Sequence, residues 1–555
     1  MASTASLRSR RSAAQLHALA GVERLIRAND PNGRRKYLLD FAEAFRSYSD
    51  VLPVSGLIEL LGSADVALIG DYHALPNSQR FAANLIEKLA QTDRPIVVGV
   101  ETVFSRDQHI LNEWIAKEID EAELRDRIRF DADWGYEWEP FFAVLENARK
   151  YAKAIYGLDC MPRQDLRKIG ARDRHAAAKI AEIRHAHPDA LIVVVFGESH
   201  LAPNHLPRLL REELRAERVV TVLQNVDSLY WQAAGESCER VEAVRVAEDV
   251  VCVFNASPLE KYENYRLCLD RWSREGAGSP DLGPTIYNLI NGLLTFLGMN
   301  AYSPHNTTQP KFLVDALPEV YSRNSDAMLR KLLSRRGVTE EDRKLLLRYA
   351  DERGSIYLAH CNALYVRDFR MIEVAEEASR FLHHACRGLP RRVNGHIPEP
   401  REGPDLFYGK AVEHALAYFG SRVLCPGRPP ARESELYELY DETREDVEQR
   451  APWSLEEFIE LVDLLALHRG FELNPRRYRE LPQQIERGVQ LTGDRLEYVT
   501  QQLGYMLGSE IYDAYLHGEL TRRYLKSLFL IHIDEPGVAA ETYFNIVRRV
   551  RKAKH

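Results

Sequence analysis

Between about residue 60 and residue 260, short apolar runs alternate with segments that have the periodicity of amphipathic helices. The runs are continuously apolar and rich in β-branched residues, which is typical of strands that are covered on both faces. Five of them read as strands, at 66–69, 95–100, 154–158, 190–196 and 219–223. Strands and helices in regular succession predict an α/β fold, in which helices cover both faces of a mostly parallel sheet.

The rest of the chain has a different pattern. Glycine and proline punctuate residues 276–284, and beyond them helical periodicity dominates while strand patterns are scarce. We therefore predict three parts, an N-terminal helical extension at 1–55, an α/β domain at 56–275 and an α-helical domain at 276–555. No motif in the α-helical domain indicates its chemistry. Its role stays open, and a homodimer formed through it is one hypothesis.

The composition of the chain limits which classes of partner and which cellular compartment we expect for it. A formal net charge of −8 over 555 residues is mild and argues against nucleic acid as a partner. No segment is apolar enough to cross a membrane, and no apolar signal-peptide core follows the basic start of the chain. The seven cysteines are scattered without a Cys-x-x-Cys motif, which suits a reducing compartment. We therefore expect a cytoplasmic protein.

Two of the predicted strands end in almost the same eight residues. The first motif, GDYHALPN at 70–77, follows the first predicted strand, and the second motif, GESHLAPN at 197–204, follows the fourth. Parallel sheets bind their ligands where the carboxyl ends of the strands converge. We therefore expect His73 of the first motif and His200 of the second motif to share one site.

Carboxylates complete this predicted site. Each motif carries one, Asp71 or Glu198, and Glu101 follows the second predicted strand. His73, His200 and Glu101 could hold a divalent metal and leave positions open for water. Without a metal, the histidines could act as general bases, while the carboxylates orient them or carry the proton. Both alternatives stay open, and the candidate catalytic residues are His73, His200, Glu101, Asp71 and Glu198.

Three further residues could contact a ligand at this site. Arg172, on the helix predicted at 164–185, could clamp an anionic group, with an exposed helix face as the equal alternative. Tyr72 and Trp134 could line a pocket for a flat apolar ligand, although packing inside the core is the more common role of such rings. His175, on the same predicted helix as Arg172, reads as exposed helix surface.

These residues resemble the pattern of a known superfamily, which includes the ChaN haem-binding uptake proteins, the Tiki and TraB proteins and the erythromycin esterases. Its members carry two Gly-x-x-His motifs at strand ends and a glutamate after the second strand. Gly70 with His73, Gly197 with His200, and Glu101 occupy these positions in the same order. The resemblance covers about 200 residues of the chain and leaves the predicted α-helical domain unexplained.

The resemblance implies three alternative functions. By likeness to the esterase and Tiki branches, the first hypothesis is a metal-assisted hydrolase that cleaves an ester or amide in a small molecule or a peptide. By likeness to ChaN, the alternative is a protein that binds haem or iron without turnover. A non-catalytic regulatory or interaction module is the third. ChaN-type uptake proteins are exported lipoproteins, and the start of this chain shows neither a signal peptide nor a lipidation cysteine. This difference favours the hydrolase.

Overall fold

The computed structural model describes most of the chain. The described residues are 4–30, 36–92, 94–161, 169–215, 217–236, 240–273, 280–303, 305, 309–311, 313–388, 403–441, 447, 453–473, 491 and 493–552. They form two compact units, which we call the α/β unit (Val22–Pro280) and the helical unit (Met1–Gly21 with Asp281–His555). The division into three domains that the sequence suggests stays a prediction.

The α/β unit is built on an eight-stranded sheet. Its strands are β1 Asp50–Leu52, β2 Val66–Asp71, β3 Ile96–Phe104, β4 Ala154–Asp159, β5 Leu191–Gly197, β6 Val219–Gln224, β7 Ala243–Ala247 and β8 Val250–Val253. Their order in the sheet is β1-β7-β8-β6-β2-β5-β3-β4. Neighbours from β8 to β4 pair in parallel, whereas β7 and β1 add antiparallel pairs at one edge. The predicted α/β fold with a mostly parallel sheet is confirmed.

Helices connect the strands of this sheet, as the helical periodicity predicts. After the end of α1 Thr4–Asn29, they are α2 Lys36–Ala44, α3 Val54–Gly62, α4 Pro76–Leu89, α5 Gln108–Ile115, α6 Glu121–Arg127, α7 Phe130–Asp133, α8 Trp138–Tyr151, α9 Ile169–Ala186, α10 Leu206–Glu213, α11 Asp227–Glu236 and α12 Pro258–Ser273. Two short 3-10 helices, Ser105–Asp107 and Glu198–Leu201, directly follow β3 and β5. The first residues of the helix predicted at 164–185, up to 168, lie outside the described residues.

The two faces of the sheet contribute to two separate hydrophobic cores. Along β5, Leu191 and Val193 belong to the core that also contains residues of α3, α4, α5 and α8. Ile192 and Val194 belong to the core that contains residues of α2, α9, α10 and α11. Successive strand side chains point to opposite faces, so both faces of the sheet are buried under helices. The ends of the strands are therefore the places where this sheet can present polar side chains.

The helical unit contains a small sheet that no strand pattern in the sequence predicts. Strands β9 Glu319–Ser322, β10 Ser355–Leu358 and β11 Ala363–Val366 form it in the order β10-β11-β9. Strands of four residues are too short to show an alternating pattern that differs from a helical turn. The predominance of helix in this part of the chain is nevertheless as predicted.

The helices of this unit, after the first part of α1, follow in chain order. They are α13 Gly283–Leu297, α14 Asp326–Arg335, α15 Glu340–Arg353, α16 Met371–Cys386, α17 Gly403–Leu424, α18 Ser434–Glu438, α19 Leu455–Leu473, α20 Gly493–Leu516, α21 Arg522–Leu530 and α22 Val538–Lys552. Short 3-10 helices lie at Leu313–Ala316, Arg323–Ser325, Ala359–Cys361 and Leu439–Asp441. Within the described part of the chain, no helix of either unit is long and apolar enough to cross a bilayer.

Candidate functional site

The strands β2, β5 and β3 are neighbours within the sheet, and they end side by side at one edge. This edge of the sheet is the one formed by the carboxyl ends of its parallel strands. β2 pairs with β5, and β5 pairs with β3, in parallel register. β2 ends at Asp71, β5 ends at Gly197, and Glu101 lies near the end of β3. His73 follows β2, and His200 lies in the 3-10 helix after β5. The two motifs therefore lie next to each other at this edge, with Glu101 beside them.

The carboxylate of Asp71 holds His73 in one orientation. His73 Nδ1 donates a hydrogen bond to Asp71 Oδ2 at 2.7 Å, and the side-chain amide of Gln79, on α4, donates to the other oxygen of Asp71. An ionised carboxylate only accepts hydrogen bonds, so the neutral His73 carries its proton on Nδ1 and its lone pair on Nε2. Asp71 is buried, whereas 22% of the His73 side chain is exposed. His73 is thus an oriented base that solvent can reach.

Aromatic rings surround the imidazole of His73. Its ring centroid lies 4.6 Å from that of Trp134, 5.5 Å from that of Tyr136 and 6.2 Å from that of Phe141. Trp134 is itself buried, so its ring packs against the imidazole as part of the core below the site. These contacts restrict the tilt of the imidazole and leave only part of it open to a ligand.

A second aspartate holds His200. His200 Nδ1 donates to Asp173 Oδ1 at 2.5 Å, and His205 Nδ1 donates to the other oxygen of Asp173 at 3.1 Å. Burial alone raises the pKa of Asp173, but the two hydrogen bonds outweigh it and lower the pKa below its ordinary value. Only 4% of the His200 side chain is exposed. His200 is therefore oriented in the same way as His73 but is closed to solvent.

Glu101 lies between the two imidazoles. Its Oε2 is 3.8 Å from His73 Nε2, and its Oε1 is 3.8 Å from His200 Nε2. Each oxygen also accepts a short hydrogen bond, Oε1 from Arg172 Nη2 at 2.5 Å and Oε2 from the Gly197 N–H at 2.5 Å. Burial raises the pKa of Glu101, but Arg172, the two imidazoles and the Gly197 N–H lower it to about 2. Glu101 is therefore an anion at neutral pH.

Arg172, on α9, connects Glu101 to a third carboxylate. Its Nε donates to Asp159 Oδ1 at 2.8 Å, and its Nη2 donates to Asp159 Oδ2 at 3.0 Å, a bidentate pair at the end of β4. Arg172 is only 4% exposed. Its guanidinium therefore holds two carboxylates of the protein in place and is turned away from solvent.

The glycine of the second motif is required by the space around it. A Cβ atom at Gly197 would lie 3.0 Å from Glu101 Oε2 and 3.2 Å from His73 Nε2. Any side chain at this position would therefore push Glu101 and His73 apart, and it would disturb the hydrogen bond that the Gly197 N–H donates to Glu101.

Glu198 faces a different set of partners from Glu101. Its Oε1 accepts a hydrogen bond at 3.0 Å from Lys261 Nζ, which lies 4.5 Å from the centroid of the Tyr72 ring. Burial raises the pKa of Glu198 and outweighs the opposing effect of Lys261. The structure thus places Asp71, His73, Glu101 and His200 together, and places Glu198 with Tyr72 and Lys261. Sequence reasoning missed Lys261 because no motif surrounds it on α12.

The described residues contain no group of three histidine, cysteine, aspartate or glutamate side chains arranged to hold a metal ion. The contacts of Glu101 give a physical reason for this at the two motifs. Both of its oxygens already accept hydrogen bonds from Arg172 and Gly197, and the guanidinium already compensates the negative charge of Glu101. The metal set His73, His200 and Glu101 therefore finds no support in the geometry.

Comparison with known proteins gives a match inside the α/β unit. Residues 57–173 match the family model described as haem-binding uptake, Tiki superfamily, ChaN. This segment is about a fifth of the chain and includes the first motif, Glu101 and Arg172. The match over these residues confirms the resemblance to this superfamily that is seen in the sequence. Among curated proteins, none matches the chain.

Two solved structures are also similar to part of this chain. ChaN of Campylobacter jejuni, solved in a study of cofacial haem binding, is 15% identical with a TM-score of 0.24, and the match covers 33% of this chain and 93% of ChaN. The type III effector HopBA1 is 14% identical with a TM-score of 0.27, and the match covers 37% of this chain and 95% of the effector. Each match thus spans nearly all of the other protein.

Proposed function

We propose that the α/β unit is a hydrolase in which His73 acts as the general base on a water molecule that attacks an ester or amide carbonyl. One observation carries the proposal. The partly exposed imidazole of His73 is oriented by Asp71 through Nδ1, while its Nε2 lies 3.8 Å from the anion Glu101. An oriented base with an anion beside the atom that takes up the proton is the arrangement that general-base catalysis requires.

The reaction that this geometry supports can be followed proton by proton. The water oxygen attacks the carbonyl carbon while a water proton moves to His73 Nε2. The imidazolium that forms is stabilised by Asp71 through the Nδ1–H and by the negative charge of Glu101. When the C–O or C–N bond of the substrate breaks, His73 returns that proton to the leaving alkoxide or amine. The products are a carboxylic acid and an alcohol or amine.

The other residues of the site act through Glu101 in this proposal. Arg172 and the Gly197 N–H hold its carboxylate in place, and Asp173 orients the buried His200 against it. These are positioning residues, because they are buried and face protein groups. The proposal needs no divalent cation at the motifs, since the oxygens of Glu101 are already engaged. A chelator distinguishes this proposal from the metal-assisted alternative, because only a metal-assisted enzyme loses its activity when the metal is removed.

Hydrolysis of p-nitrophenyl esters and of anilides by the purified full chain tests the proposal. We expect His73→Ala to lower kcat/KM by about 10²–10⁴-fold, the usual contribution of a general base. The matched control is His109→Ala, which removes an exposed histidine of α5 and leaves kcat/KM unchanged. Dialysis against EDTA leaves the rate unchanged as well. Equal rates for His73→Ala and the wild type would contradict the proposal, and loss of activity in EDTA would support the metal-assisted alternative.

Haem binding is a second candidate function, favoured by the family match over residues 57–173. The chemistry of the residues fits, because histidine is a common ligand of haem iron and His73 is partly exposed among aromatic rings. His73 would hold the haem iron, and Tyr136, whose ring lies beside that of His73, would pack against the bound haem. Haem, when bound, supplies iron redox chemistry. Titration with haemin tests this candidate, which predicts a Soret band that His73→Ala weakens and His109→Ala leaves unchanged.

A further inference from the structure

A bulge near the end of β3 places Ser105 at the start of a helix. The pairing of β3 with β4 shifts register between Val100 and Phe104. The 3-10 helix Ser105–Asp107 follows at once and continues into α5. Bulges bend a strand, redirect the side chains that follow it, and are frequent beside active sites. Ser105 therefore lies at a strand-to-helix junction, where the first N–H groups of the helix have no partner within the helix.

Two sets of contacts clamp this junction to β4. A Cβ atom at Gly157 would lie 2.8 Å from the carbonyl oxygens of both Val103 and Phe104, so the bulge approaches β4 as closely as only a glycine permits. Gln108, the first residue of α5, replaces lost ladder hydrogen bonds. Its Nε2 donates to the Ile155 carbonyl at 2.9 Å, and its Oε1 accepts from the Gly157 N–H at 2.9 Å. The junction is thus held from both sides.

At this junction the Ser105 hydroxyl meets the imidazole of His175, on α9. Ser105 Oγ lies 2.8 Å from His175 Nε2 and 3.2 Å from the backbone carbonyl oxygen of Asp159. Both side chains are half-buried, so the pair is oriented by its surroundings and still reached by solvent. A hydroxyl within hydrogen-bond distance of an imidazole nitrogen is the arrangement of activated serine nucleophiles. His175, which reads as exposed helix surface in the sequence, is instead half-buried and contacts Ser105.

We propose that Ser105 and His175 form a nucleophile–base pair that gives the α/β unit a second activity, acyl transfer from an ester through a covalent serine intermediate. Ser105 Oγ forms a bond to the ester carbonyl carbon while its proton moves to His175 Nε2. The bond from that carbon to the alcohol oxygen then breaks, and the departing alkoxide takes the proton from His175. The acyl group remains on Ser105, and one alcohol is released.

Water completes the cycle by the same route in reverse. Its oxygen attacks the acyl carbon, its proton moves to His175 Nε2, and the bond from the acyl carbon to Ser105 Oγ breaks. Ser105 recovers its proton from His175, and a carboxylic acid is released. This chemistry uses no residue of either motif. It can therefore be tested independently of the proposed role of His73.

Labelling with a fluorophosphonate probe tests the pair in the full chain. Ser105 Oγ forms a bond to phosphorus, fluoride leaves, and His175 takes the hydroxyl proton, so the adduct is seen by intact mass and located by peptide mapping. We expect Ser105→Ala to abolish the adduct and His175→Gln to slow its formation by at least about 100-fold, because a general base contributes about 10²–10⁴-fold. The matched control is His187→Gln. His187 is also half-buried and lies 2.9 Å from a hydroxyl, that of Tyr156.

The controls separate this proposal from the proposed function and from misfolding. His187→Gln keeps the labelling rate of the wild type, and labelling at Ser105 in His73→Ala at the same rate shows that the pair works without the base of the proposed function. Ser105→Cys gives a second readout that preserves the fold. Its new thiol reacts with iodoacetamide faster than the native Cys160, whose pKa is raised by burial. An absence of adduct at Ser105, or equal rates for His175→Gln and His187→Gln, would overturn the proposal.

Discussion

Glu198 of the second motif depends on Lys261 for the compensation of its charge. Glu198 is 9% exposed and Lys261 is 6% exposed, and their side chains meet at 3.0 Å. No described group donates a hydrogen bond to the other oxygen of Glu198. Lys261→Met therefore leaves a buried carboxylate without its cation. We expect this variant to lower the free energy of unfolding, measured in urea, by about 3–5 kcal/mol.

A double-mutant cycle checks that the pair itself causes this loss. In Glu198→Gln/Lys261→Met both charges are absent, so the double variant is expected to recover part of the stability that Lys261→Met loses. Lys150→Met, which removes an exposed lysine of α8, changes the free energy of unfolding by no more than about 0.5 kcal/mol. A loss in Lys261→Met as small as that in Lys150→Met would show that the pair contributes little.

The residues of the candidate site differ in how far the sequence predicts them. His73, His200 and Glu101 follow apolar runs directly, so their place at strand ends is visible in the sequence. The partner of a strand-end side chain depends on the helix that packs over it, and no local pattern encodes that. Lys261 lies on α12, far along the chain from Glu198. The sequence therefore does not show that Glu198 pairs with Lys261 while Glu101 pairs with Arg172.

At the scale of the elements, the bulge of β3 requires that β4 has a glycine at position 157. A Cβ atom at Gly157 would lie 2.8 Å from two backbone carbonyl oxygens of β3, and backbone atoms cannot turn aside. We expect Gly157→Ala to lower the free energy of unfolding by about 1–3 kcal/mol, the usual cost of overpacking. Because the displaced segment carries Glu101 and Ser105, the fluorophosphonate labelling rate should fall too.

Gly62→Ala is the matched control for this substitution. Gly62 ends α3, and a Cβ atom there would meet nothing within 4 Å. Alanine is a better helix former than glycine, so Gly62→Ala is expected to leave stability unchanged or to raise it by up to about 1 kcal/mol. Thermal unfolding followed by circular dichroism compares the two variants. Equal unfolding temperatures for them would mean that the contact between the bulge and β4 is loose.

Element length explains which parts of the fold the sequence predicts. The strands β2 to β6 have six to nine residues, almost all of them buried, and their apolar runs stand out from the helical periodicity around them. β1 has three residues and β9, β10 and β11 have four each, and none of them was predicted. Strands this short are defined by their partners in the sheet rather than by a pattern of their own.

At the scale of the whole molecule, each unit contains a buried, ionised glutamate whose protonation at low pH lowers the free energy of unfolding. Burial raises the pKa of Glu101 in the α/β unit and of Glu472 in the helical unit, but the cations Arg172 and Arg469 help to lower each to about 2. The unfolded chain titrates near the ordinary value of about 4.3. Each glutamate therefore stabilises the fold fully above that pH, and the stabilisation, about 3 kcal/mol, is lost as the pH falls toward 2.

The two units can be followed separately, because five of the six tryptophans lie in the α/β unit. We measure urea unfolding at pH 7, 5, 4 and 3 by tryptophan fluorescence and by circular dichroism. With both signals, the urea concentration at the midpoint of unfolding is expected to decrease once the pH is lower than 5. Glu101→Gln removes the acid-sensitive carboxylate of the α/β unit and should flatten the pH dependence of the fluorescence midpoint. Glu472→Gln is the matched change in the helical unit and should leave that midpoint unchanged. If Glu472→Gln alters the fluorescence midpoint as much as Glu101→Gln does, the acid sensitivity belongs to the chain as a whole and not to each buried network.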